Sequence, residues 1–410
     1  MALKIKFRAL LTMCGDPIEN GELVIDDGRV VAISTQPGAS EDVLDLSDCL
    51  LMPGFVNAHC HLSLTALEKK LSPSNSFADW IRALIPLNAD LDEESRMRGI
   101  RAGAEAMKRS GVTTLADYVA DPELLPVIGG LGFRSVLFLE TIGFDSANAQ
   151  FLCHKVEELI KRERFSPLSQ LGLAPHAPYS VSPDLFRYLR QLAQQYHCPI
   201  SCHVAEIQEE VAFLDEGDDG LKDLLKERSA WDPQWQVPRK TPVQYLDSLG
   251  LLDHLIAIHC NFVSSDLNVM AEKKVSAVFC PKSTEWFGRS EFMPVRAMLD
   301  LGMTVALGTD SLASNDSLNF LAELRTADKL LSTVSREEIL TMATRSGGEA
   351  LGLGGGNLAC GQKADLIGFR VPPSYSGSWL DVPFELGRHE VDFYMVNGEP
   401  SFFSTGNSLR

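Results

Sequence analysis

LMPGFVNAHCH (51–61) is an apolar, β-branched run that ends in two histidines one residue apart. Side chains alternate along a strand with period two, so both imidazoles point to one face, where two neutral nitrogens can reach a single metal ion. Toward the C-terminus seven further runs of similar character follow: TTLADYV (113–119), RSVLFLETIG (134–143), LGLAPHAPYSV (171–181), PISCHVAE (199–206), LIAIHC (255–260), VSAVFCP (275–281) and TVALGTD (304–310). Helical patterns separate them. Eight short buried strands alternating with helices predict an α/β fold closed into a (β/α)8, TIM-like barrel. The alternative, an open doubly wound sheet, would carry a Gly-rich phosphate loop after its first strand, and this strand has none.

The helices between these strands carry end signals. ESRMRGIRAGAEAMKRS stops at Gly111, and SPDLFRYLRQLAQQYH opens with Ser182 as cap and Pro183 in the first turn. In the other direction the first 50 residues read as strands: LKIKFRALLTM, GELVIDD, a hairpin signal at Asp27-Gly28, then RVVAIS. KADLIGFRV (363–371) and VDFYMVNGEPSF (391–403), with its Asn397-Gly398 turn, share that character. The chain therefore divides into a barrel over 53–358 and a small composite β-sandwich from 1–52 and 359–410. Residues 215–245 interrupt the rhythm between the fifth and sixth strands, as a lid or as a surface excursion.

Composition bounds the function. Hydrophobic residues make up 45% of the 410 positions and charged residues 22%, enough for a large core. Against 55 Asp and Glu stand 37 Lys and Arg, a net charge of −18 with no basic cluster, which disfavours nucleic acid and anionic membrane as partners. The opening residues lack a signal-peptide pattern and no apolar run reaches membrane-spanning length, so the expected location is the cytoplasm. Nine cysteines, scattered without CxxC spacing, read as reduced and mostly buried.

The polar residues are concentrated where a barrel does chemistry. His59, His61, His176, His203 with Glu206, His259 and Asp310 all fall at the C-terminal ends of predicted strands, the mouth of this kind of barrel. A lone strand histidine is usually a hydrogen-bonded core residue, but five with an aspartate at the same end of successive strands point to a site. His154, His197, His254 and His389 lie in helical or connecting segments and read as structural.

PGFVNAHCHL, HVAE, AIHC and GTDSLASN, in that order, resemble the amidohydrolase superfamily, in its branch of aminohydrolases acting on adenine-like, guanine-like and triazine rings. The closing GQKADLIGF and VNGEP resemble the same family's returning β domain, so the likeness spans almost the whole chain. It implies one divalent metal held by His59, His61, His203 and Asp310. Many relatives hold two, bridged by a carboxylated lysine at the end of the fourth strand; LAPHAPYS offers no lysine, so one metal is expected, zinc first and iron second. Such an ion would acidify a water for attack on an electron-poor ring carbon. Asp310 would orient that nucleophile, Glu206 would shuttle its proton to the ring nitrogen and leaving ammonia, and His259 would stabilise developing charge or help remove the proton.

For the substrate, a small molecule, His176 is similar to a histidine that nucleoside deaminases of this branch use near the ring or sugar, and Ser311 after GTD is a further candidate contact. FADWIR (77–82) offers Trp80 as an aromatic wall and Asp79 as a hydroxyl acceptor, or else simply a helix burying Phe77, Trp80 and Ile81. FLETIGF and CPKSTEWFGR look most like deaminases of 6-aminodeoxyfutalosine in the menaquinone pathway, whose substrate bears a carboxylated aromatic tail that Arg134 or Arg289 would meet. Deaminases of methylthioadenosine, adenosylhomocysteine or adenosine, a triazine hydrolase, and a non-catalytic assembly relative are the other readings. A homodimer is a family-level expectation.

Overall fold

The computed structural model describes residues 2–36, 43–74, 76–162 and 166–402. Residue 403 of the predicted last strand, and the chain after it, lie outside them. The N-terminal segment forms β1 (Leu3–Leu10), β2 (Ile18–Asp26), β3 (Arg29–Ser34) and β4 (Leu44–Pro53). Eight strands then alternate with helices: β5 (Phe55–Cys60), β6 (Val112–Val119), β7 (Arg134–Thr141), β8 (Ser169–Pro175), β9 (Ser201–Val204), β10 (Ile256–His259), β11 (Ser276–Phe279) and β12 (Val305–Leu307). β13 (Leu366–Arg370), β14 (Phe393–Val396) and β15 (Glu399–Phe402) return to the first unit.

Strands β5 to β8 and β9 to β12 form two parallel four-stranded sheets. Bridges Leu173 to Ile200 and Cys60 to Asp310 join their edges and close the barrel. Its interior is filled by small and branched side chains, among them Val56, Ala116, Val136, Ile258, Val278 and Ala306. Gly308 lets the last strand lie against the first, since a Cβ there would stand 2.8 Å from the Cβ of His59. The fold is thus the α/β barrel with a separate β domain that the pattern predicts.

The 51–61 run is not one strand. It breaks at Gly54, whose Cβ would sit 2.1 Å from Thr113 Oγ1, so the chain turns there from the terminal sheet into the barrel. That sheet has the order β15-β14-β13-β4-β1-β2-β3, with the C-terminal strands on one side of β4 and β1 to β3 on the other. Its hairpins Asp27-Gly28 (φ 47° and 68°) and Asn397-Gly398 (φ 54° and 80°) have positive φ at both central residues, as the tight turn of a twisted hairpin requires. The capping signals hold as well. Ser182 accepts from the Leu185 amide, and the Glu93–Arg109 helix is capped by Ser110 just before Gly111 at φ 94°.

Arg134 does not reach the catalytic mouth. It opens β7 at the opposite end of the barrel, where it is buried in a two-pronged pair with Asp365 (2.6 and 3.1 Å) that ties the barrel to the terminal sheet. All nine cysteines are free and five are buried. Among the described residues no helix is long and apolar enough to cross a membrane.

Candidate active site

The strand ends converge as the pattern of polar residues predicts. The rings of His59, His61, His203 and His259 pack with centroids between 4.9 and 5.8 Å apart, and Asp310 closes the cluster, its Oδ1 lying 3.5 Å from His59 Nε2 and 4.0 Å from His61 Nε2. Potential ligand atoms of His59, His61 and Asp310, and of His59, His203 and His259, lie within 4.8 Å of one another. His203 directs Nδ1 at the carbonyl of His176 (2.8 Å), which leaves Nε2 as the donor facing the cluster. His59 is fully buried, yet neither ring nitrogen has a hydrogen-bond partner. An unsatisfied buried imidazole among three others and a carboxylate is costly unless a cation occupies the space between them, so these residues fit a divalent metal.

Electrostatics favour the same state. Burial drives His59 down to about 3 and His61 to about 4, so both offer lone pairs rather than protons at neutral pH. His176 is likewise lowered to about 3 by burial, and His259 lies well below the ordinary histidine range. Burial alone would raise the Asp310 carboxyl, but His59, His259 and His61 around it hold it well below the usual range. Asp310 is oriented by the Ser311 amide on Oδ1 (2.8 Å) and the Ser283 hydroxyl on Oδ2 (2.9 Å).

The backbone is bent to present these groups. Ala205, His259, Cys260 and Asp310 all have positive φ, between 48° and 69°, an uncommon state for residues with a side chain. The turn after β9 is held by Glu210, which accepts from the amides of Ala205 (2.9 Å) and Glu206 (3.2 Å), while the Asn261 side chain donates to the Glu206 carbonyl (2.9 Å). The turn after β12 is held by Glu323, which accepts from the Lys282 amide and the Asn315 side chain. No motif in the sequence marked Glu210 or Glu323, because each acts on backbone that only the fold brings beside it.

Glu206 carries the least expected contact. Arg289, expected from sequence as a partner for a substrate carboxylate, is largely buried and places Nη2 2.9 Å from Glu206 Oε1, with its guanidinium over the Phe287 ring. His259 Nε2 is 3.7 Å from the same oxygen. Arg289 therefore meets the protein's own carboxylate rather than standing free for a ligand.

Above this floor opens a cavity of about 660 Å³. His61, His176, His203, Glu206, His259, Asp310 and Ser311 line its base, and Trp80 lines its wall. Trp80 is also core, donating Nε1 to the Ala313 carbonyl and packing on Phe77 and Phe287, so both readings of FADWIR hold for it. Asp79 does not enter the cavity: it is exposed and bonded to Arg82, because the helix over 77–89 turns its polar face outward. Ser180 fixes His176 through Nδ1 (2.6 Å). His154, His197, His254 and His389 are not among the lining residues. Residues 215–245 include the Asp219–Glu227 helix, whose Leu221, Leu224 and Leu225 form one wall, clasped to the 77–89 helix by Arg82 on Glu227 (2.8 and 3.0 Å). Glu140 also lines the cavity; the alternation Val136, Phe138, Glu140 along an inward-facing strand was its signal in the sequence.

A closed parallel barrel with a histidine- and aspartate-lined metal pocket at its C-terminal mouth defines a metal-dependent hydrolase. The Amidohydrolase family model matches residues 50–400, and the chain belongs to that family. The 5-methylthioadenosine/S-adenosylhomocysteine deaminase of Pyrococcus furiosus is 33% identical over 404 residues, covering 93% of this chain and 90% of that protein. The 5'-deoxyadenosine deaminase of Methanothermobacter thermautotrophicus is 30% identical over 395 residues, covering 89% and 87%. Among solved structures, the zinc-bound adenosine deaminase of Xanthomonas campestris superposes with a TM-score of 0.83 at 26% identity, covering 98% of this chain and 92% of that one. The Helicobacter pylori aminofutalosine deaminase superposes at 0.85, covering 98% and 100%; at 23% identity it supports the fold alone.

Proposed function

We propose that the protein is a hydrolytic deaminase of adenine-type nucleosides, replacing the exocyclic amine with oxygen and releasing ammonia. The observation that carries this reading is the cavity itself: an acid–base and metal-ligand floor beneath a wall of Leu84, Ile85, Leu124, Ile142, Leu221 and Leu224, a shape for a polar ring below and an apolar substituent above. His59, His61, His203 and Asp310 would hold a divalent ion, zinc being favoured by this donor set, and such an ion would supply Lewis acidity to a water. Glu206 takes a proton on its carboxylate and returns it, first to the ring nitrogen and then to the departing amine. Arg289 holds Oε1 of Glu206 in place, and His259 beside it, neutral because buried, donates or accepts a hydrogen bond without adding charge. Asp310, fixed by Ser283 and Ser311, aligns the nucleophile.

The apolar wall supports nucleosides whose 5' substituent is small and uncharged, of the methylthio or deoxy kind. A second reading keeps 6-aminodeoxyfutalosine, because Arg228 lines the same wall and its guanidinium forms no ion pair or hydrogen bond among the described residues, so it can meet a carboxylated tail. Ammonia release by the zinc-loaded protein, measured for both substrate types, for adenosylhomocysteine, adenosine and guanine and for a triazine, tests the proposal. Turnover of a nucleoside by several orders of magnitude over the triazine and guanine is expected. Silence toward every nucleoside would overturn it.

A further inference from the structure

The Glu206 carboxylate is held from behind the cavity. Beyond β11 the short helix Pro281–Trp286 ends at Gly288, whose φ of 65° is a left-handed state that glycine adopts freely. The amides of Gly288 and Arg289 return there to the carbonyls of Glu285 (2.9 Å) and Thr284 (3.1 Å). This turn folds Arg289 back over Phe287, with the guanidinium carbon 4.4 Å from the ring centre. Nη2 then meets Glu206 Oε1 at 2.9 Å, while Nη1 is buried without a hydrogen-bond partner among the described residues. The cation is thus held by Glu206 on one side and by the Phe287 ring on the other. Neither Arg289 nor Phe287 lines the cavity.

The Phe287 ring bears a second set of contacts. Phe77 and Trp80 of the 77–89 helix pack on it with ring centres 5.8 and 5.5 Å away, Trp80 edge-on at 77°, and both of them line the cavity. The same helix reaches Glu206 by another route: the Phe77 amide donates to Glu209 (3.2 Å), whose neighbour Glu210 accepts from the Ala205 and Glu206 amides. Arg82 on Glu227, which ties this helix to the leucine wall, belongs to neither route. Rings packed at the density of a protein interior pass a displacement on to their neighbours, and a charge-assisted contact between a guanidinium and a carboxylate is sensitive to direction.

We propose that Phe287 and Arg289 are positioning residues that couple the aromatic wall to the proton shuttle: a substrate seated against Phe77 and Trp80 sets the guanidinium, and the guanidinium sets the Glu206 carboxylate. The inference rests on the nucleoside reading given above. Its consequence is that the part of a nucleoside remote from the metal raises kcat as well as affinity, because its binding energy is used to orient Glu206. Free adenine, which fills the floor and not the wall, turns over more slowly at saturation.

The test compares wild type with Arg289→Ala, Arg289→Lys and Phe287→Leu, each loaded with zinc and analysed for metal, on 5'-deoxyadenosine and on adenine, with kcat and KM separated. Arg289→Ala should keep its metal and lose about 10²-fold in kcat on the nucleoside with little change in KM. Added guanidinium ion should restore part of that loss, because it refills both the space and the charge. Arg289→Lys, which keeps the charge but not the flat contact with the ring, should fall between. Phe287→Leu should lower kcat on the nucleoside and bring the ratio of the two substrates' kcat values toward one. A wild-type kcat as high for adenine as for the nucleoside, losses confined to KM, or a zinc-loaded Arg289→Ala that gains nothing from guanidinium would overturn the inference. Where Arg289→Ala fails to fold, Arg289→Lys and Phe287→Leu decide by the same separation of kcat from KM. A double-mutant cycle of Phe287→Leu with Glu206→Gln, read by denaturant unfolding, needs no substrate. Residues joined through Arg289 should show a coupling of about twofold or more in the unfolding constant, and additivity would overturn the relay. Silence of wild type toward every nucleoside together with that coupling would remove the deaminase reading and leave the link between wall and Glu206; silence with additivity would remove both.

Discussion

At the scale of single residues the site is governed by charges that have no alternative partner. Glu206 sits where a proton must be moved, and Glu206→Gln keeps size and packing while removing the basic oxygen. The expected result is full metal content with kcat lower by about 10²–10⁴-fold; a near-normal rate would remove Glu206 from the proton path. Asp310 combines a metal-facing oxygen with two orienting hydrogen bonds, so Asp310→Asn should lose both metal and rate, read by metal analysis after dialysis. Retention of both would show that the ligand set is wrong. Strand alternation and motif order made His59, His61, His203, His259 and Asp310 legible from sequence. The Arg289–Glu206 contact was not, because 83 residues separate the partners and no local pattern links them.

At the scale of elements, two buried carboxylates act as clamps on the turns that carry the chemistry. Burial pushes Glu210 and Glu323 up to about 8, although both accept hydrogen bonds that favour the ionised form. The folded protein therefore binds these protons more tightly than the unfolded chain. The contribution is fully present below an ordinary glutamate value of 4.5 and is lost as pH rises through about 8. Denaturant unfolding of Glu323→Gln against wild type should show a shallower decline of stability between pH 5 and 8, and parallel curves would refute the coupling. The wall helix over 219–227 is tied to the 77–89 helix by Arg82 on Glu227, an exposed pair of the kind that adds little to stability. Arg82→Ala should leave kcat and the unfolding midpoint nearly unchanged but raise KM several-fold, since the wall it steadies touches only the distal part of the substrate. An unchanged KM would show that this helix does not contact substrate.

At the scale of the whole molecule, the barrel and the terminal sheet are joined by buried polar links rather than by apolar packing alone. Arg134 and Asp365 are 5% and 9% exposed, and Asp365 also accepts from the Asn397 amide. Arg134→Met leaves that carboxylate buried without its cation, so a loss of about 3–5 kcal/mol is expected in unfolding experiments, with metal content retained in the folded fraction. A loss below 1 kcal/mol would mean that the link is dispensable. Metal removal should act on the molecule as a whole, because the proposed ligands come from β5, β9 and β12 with their following turns. Chelation should lower the thermal midpoint and zinc should restore it, since a ligand bound only by the folded state stabilises it. An unchanged midpoint would argue against a metal at this site.

By itself the sequence determined the eight-strand alternation, the β character of both chain ends and the gathering of histidines and an aspartate at the strand ends, since each depends on periodicity and on signals a few residues long, whereas the metal-ligand set followed only from family resemblance. Only the tertiary structure decided which charges meet. It sent Arg134 to the far end of the barrel and Arg289 to Glu206, turned Asp79 outward, made the 219–227 helix a wall of the cavity and left Glu140 Oε1 without a hydrogen-bond partner near His61 and His203. The reason is physical: the direction of a side chain follows from local backbone geometry, but its partner depends on which distant segments close the barrel.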